Sequence, residues 1–139
     1  MHIGASFSRR VTFDPESIRA FATAAGDDNP LHHDAHAAAG GPFGRLIASG
    51  TQVSALMMGL DATYFSQFGE ALGLGFEFRF VKPILAGTTL MLQWTVVARA
   101  YKASLRGEVV EVRGQARDDA GSVYVEASGR NLVRTGNAS

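Results

Sequence analysis

The chain has 139 residues, 46% of them apolar and 19% charged, with 13 basic and 13 acidic side chains. That apolar content at zero net charge excludes a disordered chain, and the even balance speaks against a nucleic-acid binder, which needs an excess of Lys and Arg on one face. With no cysteine there is no disulfide framework, thiol nucleophile or thiolate zinc site, and the composition suits a reducing compartment.

The length suits one domain, expected over residues 1–139. The longest charge-free run, between Arg45 and Asp61, is too short to span a bilayer, and Ser49, Gly50, Thr51, Gln52 and Ser54 interrupt it. No hydrophobic block follows Arg9 and Arg10, so the N-terminus does not read as a secretory signal. The expectation is a cytoplasmic protein with neither membrane nor nucleic acid as partner.

In chain order, residues 6–13 alternate loosely and predict a first strand. Asp14-Pro15-Glu16 predicts a helix start: Asp14 can accept from a free backbone N–H, Pro15 has none to lose, and Glu16 suits the positive helix end. Ile18, Phe21, Ala22 and Ala25 follow at i, i+3, i+4 and i+7, one apolar stripe that Gly26 ends. Residues 27–34 are polar and contain Pro30, so they form a loop. A short Ala-rich helix over 35–39 is broken by Gly40-Gly41-Pro42. From Gly50 to about residue 68 the pattern is helical again, with Val53, Leu56, Met57, Leu60 and Tyr64 at three- and four-residue steps and small or apolar residues between. A helix apolar on nearly every side is a buried one. Leu72, Leu74, Phe76, Phe78 and Phe80 then alternate with Gly73, Gly75, Glu77 and Arg79, the period of a strand. Further strands are predicted over 88–100, 103–117 and 122–134, with Asp118-Asp119-Ala120-Gly121 as a hairpin turn and 135–139 as a frayed tail. The fold class is α+β: a curled antiparallel sheet wrapped around one long central helix.

The densest chemistry lies in residues 27–36, which hold three carboxylates, three of the four histidines and Asn29. A carboxylate and an imidazole brought together by a Pro-bent loop can hold a water and move its protons, and the ordinary imidazole pKa of about 6.5 suits that work. Spacing leaves three pairs open: Asp27 with His32, Asp28 with His33, Asp34 with His36. A plain solvated turn, with Asp34 capping the short helix, fits the same residues. His32 or His33 with His36 has helical metal-ligand spacing, but no Cys exists and no Glu lies between the histidines, so no metal site is expected. Gly50 stands where the buried helix begins. Unpaired N–H groups and a partial positive charge there suit a carbonyl oxygen or oxyanion. No Ser lies in a Gly-x-Ser-x-Gly setting, so a hydrolase triad is set aside.

Asp27-x-Asn29-Pro30-Leu31-His32-x-Asp34, followed by Phe43-Gly44-Arg45 and by Ser49-Gly50 opening an apolar helix, resembles the MaoC-like dehydratases, more narrowly the (R)-specific enoyl-CoA hydratases of the hotdog fold. The Phe80-x-x-Pro83-x-x-x-Gly87 stretch and the later strands extend the similarity over most of the chain. The resemblance implies a homodimer whose two sheets join edge to edge, with substrate tunnels at the subunit boundary. It places the catalytic pair on Asp27 and His32 and the oxyanion N–H on Gly50. It also implies reversible addition of water to a trans-2-enoyl thioester, giving the (R)-3-hydroxyacyl thioester. No cofactor is implied beyond the coenzyme A or acyl carrier protein that bears the substrate. Asn29, Phe43 and Val53 are the candidate substrate-binding residues, and Leu46, Met57 and the strand phenylalanines offer further apolar lining. The chain departs from the family pattern at Ser49, where His is common, and at Thr51-Gln52, where Met-Leu is common. A polar Gln52 near the thioester would bear on substrate preference or dimer packing. Two other readings of the same fold are an acyl-CoA thioesterase and an acyl-thioester-binding subunit without turnover.

Overall fold

The structure is a computed structural model and describes residues 1–135. Its elements are β1 (Ser6–Thr12), α1 (Pro15–Ala24), α2 (Ala35–Ala39), α3 (Gly50–Phe65), β2 (Gly69–Phe80), β3 (Thr89–Lys102), β4 (Gly107–Arg117) and β5 (Val123–Thr135). The five strands make one antiparallel sheet in the order β1-β3-β4-β5-β2. Together with α3 this is the hotdog fold.

The local signals act as expected. Asp14 accepts the Ser17 N–H at 2.8 Å, Asp34 accepts those of His36 and Ala37, and Ser49 accepts that of Gln52. Each satisfies a donor that a helix start leaves unpaired. At the β4–β5 hairpin Asp118 Oδ1 accepts from Ala120 and Ser122, and Gly121 takes the left-handed conformation at φ 88°.

The packing rests on one row of residues that crosses all five strands: Phe7, Trp94, Gly114, Ala127 and Phe78. Small residues in the two central strands leave room for the rings on either side. A methyl group on Gly114 would lie 2.6 Å from a Trp94 ring carbon. Trp94 is fully buried, and its indole N–H donates to the Met57 carbonyl at 2.8 Å, which fastens the middle of α3 to the sheet. Gly114→Ala is therefore expected to cost about 1–3 kcal/mol, the ordinary penalty of overpacking. Urea unfolding checks this, and a midpoint unchanged from wild type would contradict the packing argument.

Four expectations change. The sheet covers only one side of α3: Thr51, Ala55, Met58, Gly59 and Ala62 face outward and are exposed in the single chain, Met58 at 42%. The α-helix stops at Phe65 and a 3-10 turn, Ser66–Phe68, carries the chain into β2, which begins at Gly69 rather than 72. Residues 103–105 form a second 3-10 turn, not the start of a strand. Arg106 leaves that turn in the left-handed region at φ 54°, and β4 begins only at Gly107. β5 includes Thr135, and the rest of the expected tail lies outside the described residues. Among the described residues no helix is long and apolar enough to cross a membrane.

Because β2 and β3 lie apart in the sheet, residues 81–88 must cross between them. On the way they pair with the segment that leads into α3: the Ala48 N–H donates to the Ile84 carbonyl and the Ala86 N–H to the Leu46 carbonyl, both at 2.8 Å. This crossing sets the start of α3 against the end of β2, and the 27–34 loop packs against the same segment.

Candidate active site

α1 ends at Ala24, and the Asp27 N–H returns to the Ala22 carbonyl, so Asp27 begins the loop from a fixed point. Asp27 Oδ1 accepts the Asn29 N–H at 3.0 Å, and Asn29 Oδ1 accepts the Leu31 N–H at 3.1 Å. Two consecutive Asx turns thus bend the chain into Pro30–His32, a single 3-10 turn. The turn carries His32 into the interior at 7% exposure. Its Nδ1 lies 2.8 Å from the Ile47 carbonyl. A carbonyl only accepts, so the proton sits on Nδ1 and the neutral ring turns a bare Nε2 the other way. Nε2 faces Asp27 Oδ2 at 3.4 Å.

That pairing decides among the three that spacing left open. Asp34 caps α2, and His36 is exposed on that helix. His33 turns neither to Asp28 nor to a metal partner: its Nε2 lies 2.5 Å from the backbone carbonyl of Asp27. Among the described residues no group of three or more His, Asp or Glu side chains is arranged to hold a metal ion.

His32, Gly50 and Val53 line one cavity of about 360 Å³, together with Phe80, Lys82 and Ile84. Gly50 is the first residue of α3, and its N–H has no protein acceptor among the described residues. An acidic oxygen placed at this helix start gains a donor and the positive end of the helix dipole. The glycine matters through space rather than φ: a methyl group there would lie 2.9 Å from the tip of the Phe80 ring, which would have to shift. Larger hollows of about 440 and 410 Å³ lie on the opposite, outward face of the sheet among Glu77, Arg79, Arg113 and Arg130. They have no histidine in their walls, whereas His32 lines the smaller cavity.

The other candidates fall elsewhere. Asn29 shapes the loop through its Oδ1 and is exposed. Phe43, at 37% exposure, does not line the cavity. Leu46 and Met57 are packed in the interior, whereas Phe76 and Phe78 pack against Trp94. Gln52 is buried but points to α1, donating from Nε2 to Ser17 Oγ at 3.1 Å, and does not line the cavity. Its departure from the family pattern joins two helices instead of facing a thioester. Ser49, by contrast, both caps α3 and lines the cavity.

A model of the MaoC like domain matches residues 2–119. The chain belongs to this family. A "UPF0336 protein" of Streptomyces avermitilis is 31% identical to the MaoC-like chain over 132 residues, covering 86% of this chain and 82% of that one. A Mycobacterium tuberculosis protein named 3-hydroxyacyl-thioester dehydratase Z is 35% identical over 81 residues, 56% of this chain and 54% of its own length. The unliganded R-hydratase PhaJ1 of Pseudomonas aeruginosa superposes with a TM-score of 0.87 at 24% identity, over 98% of this chain and 84% of the other. At that identity the likeness speaks for the fold.

Sequence reasoning missed three features of the MaoC-like chain. Lys82, one of only two lysines, stands in the cavity wall with its ammonium 4.7 Å from the centre of the Tyr124 ring. His33 is tied to Asp27. A second carboxylate, Asp61, is buried on the inner stripe of α3 at 1% exposure, accepting from Asn131 Nδ2 at 2.9 Å. Burial pushes the Asp61 pKa from 3.8 up to about 6, and the Asn131 hydrogen bond opposes that rise without cancelling it. The only advance signal was an acid on the stripe of Val53 and Met57.

Proposed function

We propose that the chain is a hydro-lyase that hydrates trans-2-enoyl thioesters reversibly to (R)-3-hydroxyacyl thioesters. One observation carries the reading: His32, whose Nε2 lies 3.4 Å from Asp27 Oδ2, lines a single cavity with Gly50, the residue that opens α3. Its wall has an apolar side in Val53, Phe80 and Ile84, which suits an acyl chain.

The chemistry follows from the groups present. A water held between Asp27 Oδ2 and the bare His32 Nε2 finds an acceptor on each side. Asp27 takes its proton as the oxygen bonds to C3. The electron pair of the double bond moves to the thioester oxygen, where the Gly50 N–H and the helix dipole stabilise the enolate. The proton returns from the pair to C2 on the same face, so one water is added and nothing else is consumed. General acid–base catalysis of this kind is worth about 10²- to 10⁴-fold, and one oxyanion donor roughly 3–4 kcal/mol.

The carrier is coenzyme A or an acyl carrier protein, with no further cofactor, and the acting species is a homodimer. The support for a second copy is the edge strand β2, with Leu72, Leu74 and Phe80 at 51%, 45% and 55% exposure, beside the uncovered Ala55–Met58–Ala62 face of α3. Light scattering should give twice the mass of the single chain, and a monomer at micromolar concentration would overturn that part. The activity test follows loss of the enoyl absorbance over a series of trans-2-enoyl-CoA chain lengths, with product chirality determined. Release of free thiol without hydration would favour the thioesterase. Thermal stabilisation without turnover would favour a binding subunit.

A further inference from the structure

Asp27 has to hold its second oxygen toward His32 from an exposed loop, and its own turn controls only the first. Oδ1 is occupied by the Asn29 N–H, which orients the carboxylate relative to the loop but not the loop relative to the protein. The Asp27 N–H already ties to the Ala22 carbonyl of α1, and a second constraint, on the Asp27 carbonyl, comes from the far side of the turn. His33 Nε2 lies 2.5 Å from the Asp27 backbone carbonyl, so the imidazole must carry its proton there and donate it. His33 is itself held, because the Arg19 side chain on α1 donates from Nε to the His33 carbonyl at 3.1 Å. The chain of contacts runs from α1 through Arg19 and His33 to the backbone of Asp27. The adjacent histidines therefore require opposite tautomers: His32 carries its proton on Nδ1 for the Ile47 carbonyl, His33 on Nε2 for that of Asp27.

We propose that His33 is a positioning residue that anchors the Asp27 backbone through its Nε2–H and so holds the Asp27 carboxylate against His32. The inference rests on the hydratase reading for its kinetic part and is independent of it for the tautomer. His33 touches no reacting atom in this assignment. It acts through Asp27, and the benefit it confers is geometric, since small misplacements of a catalytic group cost rate out of proportion to distance.

The test compares two variants with the wild-type chain in hydration of crotonyl-CoA. In His33→Gln the side-chain amide places an N–H near the position of Nε2, whereas His33→Met keeps the bulk and loses the donor. The Met variant should lose about tenfold to a hundredfold in kcat with KM within about twofold, and the Gln variant should stay within about threefold of wild type. Equal activity of all three proteins, or equal impairment of both variants, would overturn the proposal. Nitrogen-15 NMR of the wild-type imidazoles supplies the second measurement: His33 should show a protonated Nε2 and a bare Nδ1 at pH 8, and His32 the reverse. A proton on His33 Nδ1 instead would overturn the tether even if the Met variant fails to fold. Should the wild type lack hydratase activity while the opposite tautomers are found, the hydratase reading fails and the tether stands.

Discussion

Asp27→Asn is expected to lower hydration of crotonyl-CoA by about 10²- to 10⁴-fold while the melting temperature stays close to wild type. The substitution preserves shape and the Oδ1 acceptor that the Asn29 N–H uses, so the loop keeps its Asx turn. What is lost is the negative charge and the proton-accepting capacity of the oxygen 3.4 Å from His32 Nε2. An amide at that position donates toward a nitrogen that is bare in the neutral ring, and the water between them loses its acceptor. The Asp27 side chain is 33% exposed, so its contribution to stability is modest, and a large loss of turnover in a folded protein isolates the chemistry. Initial rates together with a thermal melt make the measurement. Turnover near wild type in the Asn variant would remove Asp27 from the mechanism and the hydro-lyase reading with it.

Asp61→Asn is expected to stabilise the protein at pH 8 by about 3 kcal/mol and to leave it unchanged below about pH 3. In the unfolded chain this carboxyl ionises at the ordinary 3.8, whereas burial raises it to about 6 in the folded protein. Below 3.8 both states hold the proton and the fold carries no penalty. As pH rises from 3.8 to about 6 the unfolded state gives up its proton first, so stability falls through that window. Above it the full penalty of a buried charge remains. Asparagine removes the titration and keeps an oxygen for Asn131 Nδ2 to donate to. Urea midpoints of the two proteins should separate as pH rises from 4 to 7 and run parallel beyond. Curves that run parallel over the whole range would show that Asp61 ionises in the fold as it does in the open chain. The proposed site lies at the other end of α3, so any hydration rate measured for the wild type should be retained in the same variant.

The buried carboxyl and the acid–imidazole pair illustrate different kinds of legibility. The caps at Asp14 and Asp34, the stripe of α1, the period-two run that ends at Phe80 and the Asp118 hairpin are all readable because each depends on residues within about four positions of one another. The loop 27–36 was legible as a concentration of acid and imidazole, and the resemblance to the MaoC-like family singled out Asp27 and His32 within it and Gly50 at the start of α3. Composition and spacing could not choose among the three acid–histidine pairs, since that choice depends on which ring reaches the Ile47 carbonyl fifteen residues away. The Phe-Gly-Arg motif is local in the same way, and whether Phe43 lines the cavity of the single chain is a tertiary matter that the motif does not carry.

The amino-acid sequence by itself determined the elements, their order, the α+β class and the family, because these follow from periodicities, capping chemistry and motifs that act over one or two turns of chain. Only the tertiary structure decided the sheet order β1-β3-β4-β5-β2, the open outer face of α3, the tether from Arg19 and His33 to Asp27, and the burial of Asp61 against Asn131. Each of these joins residues far apart in the chain or depends on which faces remain uncovered. Their energies come from packing and desolvation, which have no value until the surrounding strands close around them.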